Sequence, residues 1–248
     1  INVYNHKTNI KMESSSSSVR VFCRFRPTRE NHESVNNEVI IDETTNSISL
    51  GQRAKFRANV VSGNFHFDSV FPDTTTQENV YEKVGCSLME DTFKGYNSSI
   101  IAYGQTGSGK THTMFGPGWD EEIENEDNRA NFKQTSLYKN ENLEGLVPRI
   151  ASNLFKEIAK KCRSNSKLDI DVYITIIEIY NETIRDLLKT TSDKQSSNSD
   201  NNIMKKLKIR ETKNGGVFVE GVERRKIVSA PSLINAIRQG GTNRAVAS

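Results

Sequence analysis

Residues Gly104 to Thr111 read Gly-Gln-Thr-Gly-Ser-Gly-Lys-Thr, the spacing G-x-x-x-x-G-K-[ST]. Each residue type has a mechanical part in gripping a polyphosphate. Gly104, Gly107 and Gly109, with Gln105, Thr106 and Ser108 between them, let consecutive backbone N–H groups turn inward. Lys110 can then reach the outer phosphates, and the Thr111 hydroxyl can ligate Mg²⁺. The alternative is a glycine turn with no ligand.

Such a loop needs a strand to lead in and a helix to lead out. Ser99 to Tyr103 is a short apolar run suited to a buried strand, and His112-Thr113-Met114 can open a helix whose N-terminus favours anions. Upstream, Val19 to Arg26 alternates apolar and basic residues until Pro27, the pattern of a half-buried strand. Val39-Ile40-Ile41, Ile48-Ser49-Leu50 and Phe65-His66-Phe67 are further short strands. Thr76 to Lys94 carries helical spacing through Val80, Val84, Leu88 and Met89, with Gly95 to stop it. A second helix begins near Val147 and runs through Ile158. Ile170 to Tyr180 reads as one long strand. Asn181 to Leu188 reads as a short helical turn, and Leu207 to Arg210 with Val217 to Glu220 as a hairpin. A last helix starts near Ala230-Pro231 and should end before Gly240-Gly241. This order predicts an α/β fold.

The 248 residues suit one large domain or two small ones, and 34% hydrophobic content allows a lean core. Residues 1–18, ending in a serine tract, read as disordered, and 19–248 as the ordered part. Polar stretches at about 116–143 and 190–202 read as loop insertions. No run of residues is long and apolar enough to span a membrane, and no secretory leader is visible. Cys23, Cys86 and Cys162 lack metal-ligand or redox spacing, as do the scattered histidines. With 34 basic and 31 acidic side chains, the net charge of +3 does not mark a nucleic-acid binder.

Several separated segments, in order, resemble the kinesin motor domain. They are Arg24-Phe25-Arg26-Pro27; Phe65 to Phe71; Gly95-Tyr96-Asn97 with Ala102 to Met114; Gly145 to Arg149; Glu178 to Glu182 with Ile184 to Leu188; and Thr242 to Ala247. The wording Cys-Arg-Phe-Arg-Pro and Asn-Arg-Ala-Val-Ala leans toward the conventional-kinesin branch. The resemblance implies a P-loop NTPase fold with a central mixed sheet flanked by helices, and an ATPase that moves along microtubules. It also implies ATP or ADP with Mg²⁺ as cofactors, and Lys110 and Thr111 as the catalytic residues of this segment. Arg24, Arg26 and Pro27 would flank the adenine, opposite His112, since guanidinium and imidazole groups are both planar and can stack on a base. Otherwise Arg24 and Arg26 are simply the solvent face of a strand.

The implied partner is tubulin, met through the hairpin at Arg210 and Lys213, which places the protein in the cytoplasm on the microtubule cytoskeleton. Gly215 and Glu220 stand where kinesins often carry basic residues, which weakens that contact. No nucleic acid or membrane insertion is implied, and dimerisation would use segments outside this sequence. The family's switch sequences, Asn-x-x-Ser-Ser-Arg-Ser-His and Asp-Leu-Ala-Gly, do not occur here. The expectation is therefore the N-terminal part of a motor domain, truncated before the switches, that binds nucleotide without turning it over. The runner-up is a non-hydrolysing, nucleotide-binding microtubule module. A GTPase is disfavoured because no Asn-Lys-x-Asp signal is present.

Overall fold

The structure is a computed structural model that describes residues 2–5, 19–27, 39–51, 63–117, 119, 141–189, 207–213 and 216–246. Of residues 1–18, Asn2–Asn5 form a strand, β1. The remaining strands are β2 (Phe22–Arg24), β3 (Val39–Asp42), β4 (Ser47–Leu50), β5 (Asn64–His66), β6 (Ser69–Phe71), β7 (Ile170–Ile174), β8 (Ile177–Tyr180), β9 (Thr183–Asp186), β10 (Lys208–Glu211), β11 (Val217–Glu220) and β12 (Arg225–Ile227). The helices are α1 (Gln77–Phe93), α2 (Lys110–Phe115), α3 (Leu146–Ser164) and α4 (Ala230–Val246). The 190–202 insertion and most of 116–143 lie outside the described residues.

Among the described residues the strands are mixed in sense and pair in five groups. β2 pairs in parallel with β6, with Cys23 opposite Val70. β7 is flanked by β1 and β12, both antiparallel. β3, β4 and β5 form a separate antiparallel sheet, and β8–β9 and β10–β11 are isolated hairpins. The expected buried strand at Ser99 to Tyr103 is absent: the segment pairs with no described strand, and Ile101 and Tyr103 are 86% and 98% exposed. An apolar run signals that burial is available, but a ladder forms only where a neighbour offers its own N–H and C=O groups.

Three helices build the core. α1 follows an N-cap in which the Thr76 side chain accepts from the Asn79 N–H, and it ends at Gly95, whose φ of 94° suits glycine. α3 buries Leu146, Ile150, Ala151 and Leu154, an apolar stripe at helical spacing. These side chains pack with Val80 and Met89 of α1, Val172 of β7, and Leu233 and Ala236 of α4. A hydrogen bond joins α1 to α3, from Asn153 Nδ2 to the Tyr81 hydroxyl at 2.6 Å, and the Tyr81 ring lies against Gly85 one turn along its own helix.

Three local expectations are corrected. The long strand from Ile170 breaks after Ile174, and β8 turns away to pair with β9. Asn181 to Leu188 is not a helical turn: Asn181 and Glu182 take positive φ values of 46° and 57° and link the two strands of that hairpin. The last helix does not stop at Gly240-Gly241 but continues to Val246. A side chain at Gly240 would come within 3.1 Å of Ile176, so glycine here permits close packing at the cost of helix propensity.

Candidate functional site

The loop between Tyr103 and α2 curls as its glycines allow. Gly107 and Gly109 have φ values of 79° and 97°, reserved in practice for glycine, and Gly104 lies at 156°. A Cβ on Gly104 would meet Ser108 Oγ at 2.5 Å, so the first glycine is needed for closure. The Ser108 N–H donates to Gln105 O at 3.1 Å and pins the turn. Around Gly107 there is open space, with nothing within 4 Å of the position a Cβ would take.

Lys110 turns back over the loop and donates from Nζ to Gly104 O at 2.7 Å and Gln105 O at 2.8 Å. Its ammonium is thus held at the mouth of the curl. Thr111 follows in the first turn of α2 and Thr106 is exposed on the loop. A cradle with glycine clearance, a cation at its mouth and a hydroxyl beside it is a donor set that fits a polyphosphate and its magnesium ion.

Arg24 and Arg26 converge on this loop from the end of β2. Arg26 donates from Nη1 to Gly107 O, and Arg24 Nη1 donates to Thr113 Oγ1 at 3.0 Å and to Gln77 Oε1 at 2.8 Å. They are therefore tied to the loop and to α2 rather than forming only the solvent face of a strand. His112 stands alongside, its pKa lowered by partial burial and by the Arg24 charge. Pro27 is exposed where the strand ends.

Gln77 is a site residue that sequence reasoning missed. It is 5% exposed, and Nε2 donates to His112 O at 2.6 Å while Oε1 accepts from Arg24. One amide thus joins α1, β2 and α2. In sequence it is only the first residue of a helix, and no spacing singles it out.

The other two predicted residues lie on a different part of the molecule. Arg210 sits on β10, where its Nε lies 2.8 Å from Glu220 Oε2 across the hairpin, and Lys213 is exposed at the turn.

A glycine-rich phosphate cradle followed directly by a helix that starts with its lysine defines a P-loop nucleotide-binding fold. The kinesin motor domain family model matches residues 24–248, and the chain belongs to that family. It is 33% identical over 234 residues to Kinesin-related protein 3 of Dictyostelium discoideum, covering 93% of this chain and 16% of that protein. It is 32% identical over 239 residues to the Kinesin heavy chain of Caenorhabditis elegans, covering 96% of this chain and 24% of that one. A solved structure of a fast kinesin superposes with a TM-score of 0.69 at 29% identity, covering 93% of this chain and 54% of the other. The chain thus spans about half of that kinesin structure and a smaller share of the curated relatives. Heavy chains among these relatives accord with the lean toward the conventional branch. Among the described residues, no helix is long and apolar enough to cross a membrane.

Proposed function

We propose that this chain is the nucleotide-binding part of an ATP-driven, microtubule-based motor. The observation that carries the reading is the Lys110 ammonium poised over a loop with left-handed Gly107 and Gly109. In this reading the loop from Gly104 to Gly109 holds the phosphates, Lys110 neutralises them and Thr111 holds Mg²⁺. Arg26 holds the loop's shape through Gly107 O, while Arg24 and His112 form the wall on the base side. Bound ATP would supply the phosphoryl group whose transfer drives movement. Arg210 and Lys213 are the proposed microtubule contacts, in the cytoplasm. Arg210 is already paired with Glu220, which supports a modest contribution from it.

Turnover is a separate matter. Hydrolysis needs groups that orient water and stabilise the transferring phosphoryl, beyond those that grip it. We assign to these 248 residues alone the binding step without appreciable hydrolysis. Nucleotide binding should disappear in Lys110→Ala, measured with a fluorescent ATP analogue. Unaltered affinity in that variant would refute the site. Phosphate release from the chain alone at a rate matching longer kinesins would refute the division between binding and turnover.

A further inference from the structure

We propose that Trp119 and Arg225 are positioning residues for the nucleotide site, clasping α4 between the P-loop helix and the hairpin side of the molecule. The proposal rests on the nucleotide-binding reading above and goes beyond it.

The first clasp begins where α2 ends. Phe115, the last residue of that helix, stacks on Trp119 with ring centroids 4.4 Å apart and planes 16° apart. The Arg238 guanidinium of α4 lies over the same indole, 5.1 Å from its centroid. A planar cation on one ring contact and an aromatic on another fix an indole strongly. Because α2 is six residues long, Phe115 and Lys110 belong to one short rigid body.

The second clasp leaves α4 from the next residue, which projects about 100° around the helix. Gln239 Oε1 accepts from Arg225 Nη1 at 2.7 Å. Arg225 also donates to Leu188 O at 3.2 Å and, through Nε and Nη2, to Glu223 Oε1 at 3.0 and 2.8 Å. One turn further along α4, Asn243 Nδ2 donates to Leu187 O at 2.7 Å, and Gly240 sits against Ile176 and Leu187. Asp186, the last residue of β9, accepts from the Leu188 and Glu223 N–H groups and so anchors the same segment.

Two adjacent residues of α4 therefore hold different partners. The contacts run in series from Lys110 through Phe115, Trp119, Arg238, Gln239 and Arg225 to the base of the β8–β9 hairpin. A displacement of α2 has to be accommodated by α4, and a displacement of the hairpin base reaches α4 through Arg225. Packed helices transmit such shifts because interiors are close-packed. Spatial continuity alone does not demonstrate coupling, so the test must measure it.

The test follows release of a fluorescent ADP analogue from the full chain, with melting temperatures recorded in parallel. Trp119→Ala and Arg225→Ala should each speed release about fivefold or more, and Gln239→Ala, the milder lesion, should move it the same way. Trp119→Phe, which keeps a ring between Phe115 and Arg238, should stay within about twofold of wild type. Because the clasps act in series, the Trp119→Ala/Arg225→Ala double variant should release no faster than the faster single variant. The wild-type chain gives an independent readout, since Trp119 is its one tryptophan and its emission should shift when ADP binds. Release rates unchanged in all single variants, multiplicative effects in the double variant, or unmoved Trp119 emission would each overturn the proposal. If Lys110→Ala abolishes binding in the same assay while those rates stay put, only the clasp fails. If wild type does not bind the analogue, the nucleotide-site reading falls and the clasp falls with it.

Discussion

Replacing Gln77 tests whether one amide holds the proposed nucleotide site together. In Gln77→Ala, the half-buried Arg24 guanidinium loses an acceptor at 2.8 Å and His112 O loses a donor at 2.6 Å. A hydrogen bond to a charged group contributes about 1.5–3 kcal/mol and a neutral one about 0.5–1.5 kcal/mol. Arg24 keeps Thr113 Oγ1 and His112 O keeps the Gly116 N–H at 2.9 Å, so neither group is left bare and the lower halves of those ranges apply. The expected cost is about 2–3 kcal/mol, which for a chain of this size corresponds to roughly 4–12 °C in melting temperature. Gln77→Glu separates the two bonds. It retains an acceptor for Arg24 but sets a carboxylate oxygen against His112 O, so it should also destabilise and should weaken nucleotide binding by shifting α2. Urea denaturation followed by circular dichroism and by fluorescence checks both variants. A loss below about 0.5 kcal/mol for Gln77→Ala, the scale of an ordinary surface change, would refute the assignment of Gln77 as the joint.

Three further outcomes are expected. Gly85→Ala would bring a Cβ within 2.5 Å of Tyr81 Cδ2 and Cε2, in a ring that is only 8% exposed. Overpacking of about 1–3 kcal/mol should outweigh the gain of up to about 1 kcal/mol in helix propensity, and a melting temperature at or above wild type would contradict the packing. His112 has its folded pKa below the ordinary 6.5, so the unfolded chain binds the extra proton first. Its contribution is therefore complete above that pH and is lost as pH falls through the folded value; denaturation midpoints should decline on acidification more steeply in wild type than in His112→Gln, and equal slopes would count against it. Glu220→Gln frees Arg210 from its partner at 2.8 Å and should strengthen cosedimentation with microtubules at low salt by about twofold to fivefold. Unchanged or weaker binding would remove Arg210 from the proposed contact.

The residues that punctuate the chain made much of the fold legible. Thr76 and Gly95 bracket α1, Pro231 lies in the first turn of α4, and the apolar spacing from Leu146 to Leu154 marks the buried face of α3. The loop from Gly104 to Thr111 was readable because its chemistry is local: each glycine answers to its own φ or its nearest neighbour. What was not legible depends on partners distant in sequence. Gly240 and Gly241 look like a stop signal until Ile176 and Leu187 pack against the helix, and tertiary contact then overrides propensity. Ile101 and Tyr103 look buried because their own residue types say so, whereas exposure depends on which strands stand beside them. Gln77 shows the same limit within the site, since its bonds reach 53 and 35 positions away.

The joint at Gly145 has a consequence for how this molecule can be altered. The Gly145 N–H donates to Phe115 O at 3.2 Å, and a Cβ on Gly145 would meet the backbone of Met114, Phe115 and Gly116 at 2.6–2.7 Å. The chain thus departs from α2 and returns to α3 through a single closed doorway. Loop-closure entropy rises by only about 0.6 kcal/mol for each doubling of the length that such a doorway closes. A fluorescent or affinity module spliced after Trp119 and before Gly145 would leave both the Gly145–Phe115 joint and the Phe115–Trp119 stack in place. At the doorway itself a single methyl group on Gly145 would matter.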